Sequence, residues 1–152
     1  MEIGLGQKYN VVQSAFTVAS SGSPVDVLTI TSASNVPVVV ERVVLTSSAN
    51  AAAIQTLQVV VRSSAGSGGS SITPSPEPNS APAASSSAAY NVTTPGTLKR
   101  SYDPEIWQQF APFEFIRRPG GLLIVPGETF VITLPSTSGF TASVHAEIVE
   151  VK

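Results

Sequence analysis

The chain has no cysteine, one histidine, one tryptophan and one methionine among its 152 residues. The missing cysteine removes disulfides, thiolate zinc sites and cysteine nucleophiles together, and says nothing of the redox compartment. Charge is scarce too. Charged side chains make up 12% of the chain, against a usual share of about 25%. The net charge is −2 and the pI about 5.3. The one basic pair of note, Arg117 and Arg118, is too small for the clustered basic face of a nucleic-acid binder. No apolar run approaches the roughly 20 residues that span a bilayer. The first residues, MEIGLGQKYN, lack the basic and apolar regions of a signal peptide. The expectation is a soluble protein made in the cytoplasm, with neither nucleic acid nor membrane as partner.

What is present fits one domain, since domains commonly run to about 100–150 residues. Hydrophobic residues make up 42%, enough for a core, and a globule of this size buries roughly 68–70% of its unfolded surface. With so few charges, Ser, Thr, Asn and Gln must carry the polar surface. Such a surface suits burial against partners better than life as an isolated monomer.

Apolar segments are short, rich in Val, Ile, Thr and Phe, and separated by Gly, Pro, Ser and Asn, which is strand-and-turn punctuation. No stretch shows helical spacing. Strands are expected near Ala15–Ala19, Val25–Thr31, Val36–Thr46, Ile54–Ser63, Ala88–Val92, Leu122–Val125, Thr129–Leu134 and Thr141–Val151. In Val25–Thr31 both alternating faces are mostly apolar, as in a strand packed within a sandwich. In TASVHAEIVEVK, Ala142, Val144, Ala146 and Ile148 share a face, and the phase slips near Ile148-Val149, which suggests a bulge. Pro37 cannot donate to a ladder and belongs at a strand start or edge. Pro119-Gly120-Gly121, Pro126-Gly127 and a Ser-rich turn separate the last three strands, which read as a meander.

Two segments stand outside this pattern. Residues 63–87 are Ser-, Pro-, Gly- and Ala-rich with one charge, Glu77, too polar to offset their ordering entropy alone. They read as an extended, mobile loop: a plain surface loop, or an arm that orders against a neighbouring subunit. Residues 1–14 form a second candidate arm, ahead of a sandwich domain at 15–152. There the choice is between a frayed terminus and docking through Ile3, Leu5, Tyr9, Val11 and Val12.

A search for chemistry finds little. His145 sits alone in an alternating strand, without the converging ligands of a metal site. Asp26 and Asp103 are the only aspartates, and no calcium loop exists. No G-x-S-x-G occurs, and His145 near Glu147 reads as two solvated groups rather than a dyad. Glu105, Glu114 and Glu128 are scattered carboxylates of the kind any chain offers for glycoside hydrolysis. Gly66-Ser67-Gly68-Gly69 lacks the Gly-Lys-Ser/Thr of a phosphate cradle. No catalytic, cofactor or metal residue is therefore expected, and no cofactor. The segment Tyr102–Phe115 concentrates Trp107, three phenylalanines and a tyrosine. It is either a core plug or an interface anchor. Pro104 can open a helical turn through Trp107. Phe113 and Phe115 alternate as in a short strand, and Arg117 and Arg118 are placed to clamp Glu114 or a partner's carboxylate.

The order of these features carries a resemblance. A strand ending VVVRSS, then GSGGSSITPSPEP, an aromatic segment, and RRPGGLLIVPGETFVITLPSTSGFTASVHAEIVEV resemble a family of small virion-associated proteins of tailed bacteriophages. The likeness covers about residues 36–151, and its motifs describe turns rather than chemistry. It implies a capsid cement or decoration protein, or a related head accessory component, located on the virion and bound to the major capsid protein.

The expectation is thus a single antiparallel β-sandwich, jelly-roll-like, with a long loop and an N-terminal arm. It acts without catalysis by bridging capsid subunits, as a homo-oligomer for which a trimer fits local threefold positions. The candidate partner-contact residues are Ile3, Leu5, Tyr9, Ile72, Pro74, Pro76, Trp107, Arg117 and Arg118. The main alternative is a receptor- or carbohydrate-binding module of a tail or head fibre, stacking sugar on Trp107 and Tyr102.

Overall fold

Strand-forming segments dominate the chain, and the structure, a computed structural model, describes residues 6–48, 54–78, 80–102, 104–117 and 120–151. Among them there is no helix and thirteen strands: β1 (Gly6–Val18), β2 (Val25–Thr31), β3 (Val38–Ser47), β4 (Ile54–Arg62), β5 (Ser70–Ile72), β6 (Ser75–Glu77), β7 (Ser87–Val92), β8 (Leu98–Ser101), β9 (Glu105–Gln108), β10 (Phe113–Ile116), β11 (Leu122–Ile124), β12 (Thr129–Leu134) and β13 (Phe140–Val151).

They form two antiparallel sheets. The first runs β10-β3-β13-β1-β6, with β11 also on β3; the second runs β5-β7-β2-β12-β4-β8, with β9 also on β4. The pairings show how the chain travels. β1 pairs with β13, β2 with β12, β3 with β10 and β11, and β4 with β8 and β9. Four strands lead out, the later strands return alongside them, and the doubled ribbon is wrapped so that its pairs alternate between sheets. That is a jelly-roll path. β11, β12 and β13 are therefore not a meander: β12 sits in the opposite sheet from its two sequence neighbours. Pro-Gly turns mark where strands stop, and they carry the chain between sheets as readily as between neighbours.

The inner faces meet in one core that includes Val11, Val40, Leu57, Phe130, Ile132 and Ile148. On the first sheet the outer face is half-exposed, and β13 alternates buried and half-buried from Phe140 to Glu150. On the second sheet β12 is buried at every position. Val60, Val131, Thr29 and Asp26 are buried without belonging to the core cluster. Their cover is the connection out of β4. Ser63 and Thr97 pair beside Arg62, Ser67 and Thr94 pair farther on, and Gly66 and Gly69 press against Val92 of β7. A ladder that starts at β4 and ends at β7 must cross the outer face of β12 and β2. Beneath it, Arg62 reaches Asp26 in a bidentate ion pair, with nitrogen–oxygen distances of 2.9 and 3.2 Å. Fork-to-fork geometry of this kind lets both charges stay buried.

The described parts of both expected arms pair within the chain. Residues 6–14 are the first half of β1, held between β13 and β6. Tyr9 and Val11 alternate inward there, and Gly6 is not a spacer but a close approach: a Cβ at that position would collide with Val149. Residues 1–5 lie outside the described residues. The 63–87 segment contributes β5 to the edge of β7 and β6 to the edge of β1. It so forms a strap along one side of the sandwich.

One glutamate holds the strap. The register of β3 against β13 skips Glu41, so the bulge lies on β3 and the alternation of β13 runs on unbroken. Glu150 consequently points inward, fully buried. Its Oε1 accepts hydrogen bonds from the Ser85 amide at 2.6 Å, the Ser86 amide at 2.7 Å and the Ser86 hydroxyl at 2.8 Å. The phase slip seen in the sequence is this carboxylate standing in a core position.

Candidate interaction surface

Of the nine candidate contact residues, Ile3, Leu5 and Arg118 lie outside the described residues. Four of the remainder are committed to the chain's own body. Tyr9 is buried and its hydroxyl donates to the Pro82 carbonyl. Ile72 belongs to the core, and Pro74 is buried beside it. Trp107 is 3% exposed; its indole N–H donates to the Ala111 carbonyl at 2.7 Å and its ring meets Phe140 edge-on. Pro76, half-buried, pairs opposite Tyr9. These corrections share a cause: apolar groups in a segment with a sheet edge nearby pack on that edge before they wait for a partner. Trp107 is a core plug, and with it goes the stacking platform for sugar, since Tyr102 also packs on the core.

Among the six that are described, Arg117 is the one open to solvent, with its guanidinium 4.9 Å over the Tyr102 ring. It does not clamp Glu114. Arg42 does, at 2.8 Å, because β10 lies on β3 and sets the two residues on adjoining positions. Pro104 opens no helical turn. Glu105–Gln108 is strand β9, paired from Leu57 to Ile54 of β4.

The catalytic rivals gain no geometry. His145 Nε2 lies 3.2 Å from the Asn10 side-chain oxygen. Among the described residues no group of three His, Cys, Asp or Glu gathers as a metal site. Of Glu105, Glu114 and Glu128, Glu128 is the buried one. Burial pushes it up, but Lys99, the Val125 amide and the Arg100 charge outweigh that and hold it below the usual carboxylate range. It ties β8 to the turn before β12, a structural use.

A different surface stands out. Nine large hydrophobic residues are exposed among those described, and seven of them, Ile54, Leu98, Ile106, Phe110, Ile116, Leu123 and Val125, belong to β8, β9, β10, β11 and their immediate neighbours. These four strands are the broken edges of the two sheets on the side opposite the strap. β8 and β9 follow one another along the same edge of β4, and β10 and β11 do so along β3. Between the sheets at this side opens a cleft of about 670 Å³ walled by Trp107, Pro112 and Phe113, with Glu105 and Glu114 at its rim. That volume lies within the roughly 300–1,000 Å³ of ligand clefts.

Sequence reasoning missed Leu98, Ile106 and Leu123, yet a signal was there. In E-I-W-Q two large apolar residues are adjacent, and a half-buried strand can hide only one of them. Trp107 went inside, so Ile106 had to stay out.

Fold and surface together define a jelly-roll sandwich with one strapped, polar side and one open, apolar side. No protein-family model matches the chain, and neither any curated protein nor any solved structure matches it.

Proposed function

We propose that this protein is a non-enzymatic structural subunit of a tailed-bacteriophage virion, a capsid cement or decoration protein that bridges major capsid protein subunits as a homo-oligomer. The observation that carries this reading is the concentration of exposed apolar residues along the β8–β11 side. Monomeric proteins rarely leave large apolar patches open, and such patches mark association surfaces. A chain with only 12% charged residues supports the same reading. A sandwich whose 63–87 segment is strapped to its own sheet edges spreads load between the subunits it touches. The test is imaging of purified particles made with and without the protein, alongside their heat resistance. The proposal expects a lost density on the head and earlier disruption on heating. Particles that keep both density and resistance would remove it.

A further inference from the structure

We propose that the β8–β9 edge pairs with the same edge of a second copy of this chain about a two-fold axis. The proposal stands on the geometry of that edge and does not need the virion assignment. β8 and β9 run in the same direction along β4, and among the described residues no strand lies on their other side. An unpaired edge is a template for pairing with another chain unless charge, proline or bulges blunt it. Here a bulge at Lys99 and Pro104 between the two strands blunt the edge in part, while the exposed Leu98 and Ile106 leave it apolar at both ends.

The edge is also complementary to itself. Leu57, Val59 and Val61 of β4 face the core, so the residues opposite them, Glu105 and Arg100, lie on the inner face. Ile106 and Leu98, opposite Thr56 and Arg62, lie on the outer face. Antiparallel pairing of the edge with its own copy sets Leu98 against Ile106 of the second copy on the outer face. Skipping the bulge at Lys99 then sets Arg100 against Glu105 on the inner face. Apolar meets apolar, cation meets anion, and symmetry makes each contact twice.

The groups involved have capacity to spare. Leu98 is 54% and Ile106 78% exposed. Glu105 has no ion-pair partner among the described residues. Arg100 reaches Glu128 and the Leu123 carbonyl only at 3.5 Å, the far limit of a hydrogen bond. A two-fold contact of this kind closes as a dimer, and not as the trimer that threefold capsid positions suggest.

The absence of native cysteine permits a clean test on the full chain. Residues facing each other across antiparallel strands stand about 4.5–5.5 Å apart at Cα, within disulfide range. Positions 98 and 106 of one chain lie opposite Arg62 and Thr56 of β4 and are separated by about 20 Å. The double variant Leu98→Cys/Ile106→Cys is therefore expected to give a covalent dimer on mild oxidation, while either single variant gives none. Sedimentation velocity should show the unmodified protein as a dimer. Glu105→Lys, which sets like charge against Arg100 twice per dimer, should weaken association by about a hundredfold, tenfold for each contact. A monomer or trimer by sedimentation would overturn the proposal. So would a dimer whose double variant fails to cross-link, or single variants that cross-link equally well.

Discussion

The two long sides of this sandwich face the same problem, an open sheet edge, and meet it in opposite ways. On one side the strap lays β6 on β1 and β5 on β7, fastened by Glu150 and by the Tyr9 hydroxyl. On the other, β8–β9 and β10–β11 are short, broken strands that leave Leu98, Ile106, Phe110 and Leu123 in solvent. The strapped side is made of the residues that look least able to fold, Ser, Pro and Gly. The open side is made of the most hydrophobic ones. Composition alone thus points the wrong way: a polar segment with a neighbouring carboxylate to bind orders readily, while an aromatic segment can hide only every second side chain.

The largest effect that separates the two faces of the open side comes from adjacent residues of β9. Trp107→Ala should cost about 3–5 kcal/mol, the range for emptying a buried aromatic site. Ile106→Ser should change stability by no more than about 0.5 kcal/mol. Urea denaturation of both variants measures this, and similar losses for the two would erase the distinction between plug and surface. On the strapped side, Glu150→Ala strands two backbone amides and a hydroxyl, for an expected loss of about 2–4 kcal/mol. It should also open residues 73–86 to limited proteolysis ahead of global unfolding. A variant as protease-resistant as the parent would show that the strap does not depend on this carboxylate.

The smallest effect is a matter of pH. Glu128 is held below the ordinary carboxylate range in the folded protein. A group depressed on folding contributes stability that is present above its unfolded value of about 4.3 and is lost as pH falls through the folded value. Stability measured downward from pH 5 should therefore fall less steeply in Glu128→Gln than in the parent. Identical slopes would mean that the Lys99–Glu128–Arg100 group gives the open side no electrostatic support.

Much of the fold was legible before any coordinates. Val25–Thr31 and Thr129–Leu134 coincide with β2 and β12, because strands sealed on both faces read as unbroken apolar runs. Where the strands go was less legible. The meander reading of the last three failed because periodicity reports which face is buried and not which strand lies alongside. The first half of β1 was lost to Gly6, whose missing side chain serves packing against Val149 rather than flexibility. The strap was lost because its holding group, Glu150, is distant in sequence and sits in a position that pattern reserves for an apolar residue. The candidate surface was the least visible of all. Tyr9, Ile72 and Trp107 were read as contacts because they are large and apolar, and those properties equally send a side chain inward.

The doubling-back of the chain has a bearing on how the molecule comes into being. Gly6 pairs with Val151, Val25 with Leu134, and Val38 with Ile124. Nearly every stabilising partnership thus waits for residues made much later. Nothing in the first half can settle as a finished unit before the later strands exist, so acquisition of structure is slow, as non-local pairing dictates. In that interval the unpaired valine-rich strands are bare, and yield in the cell will be set by what keeps them apart until β13 arrives.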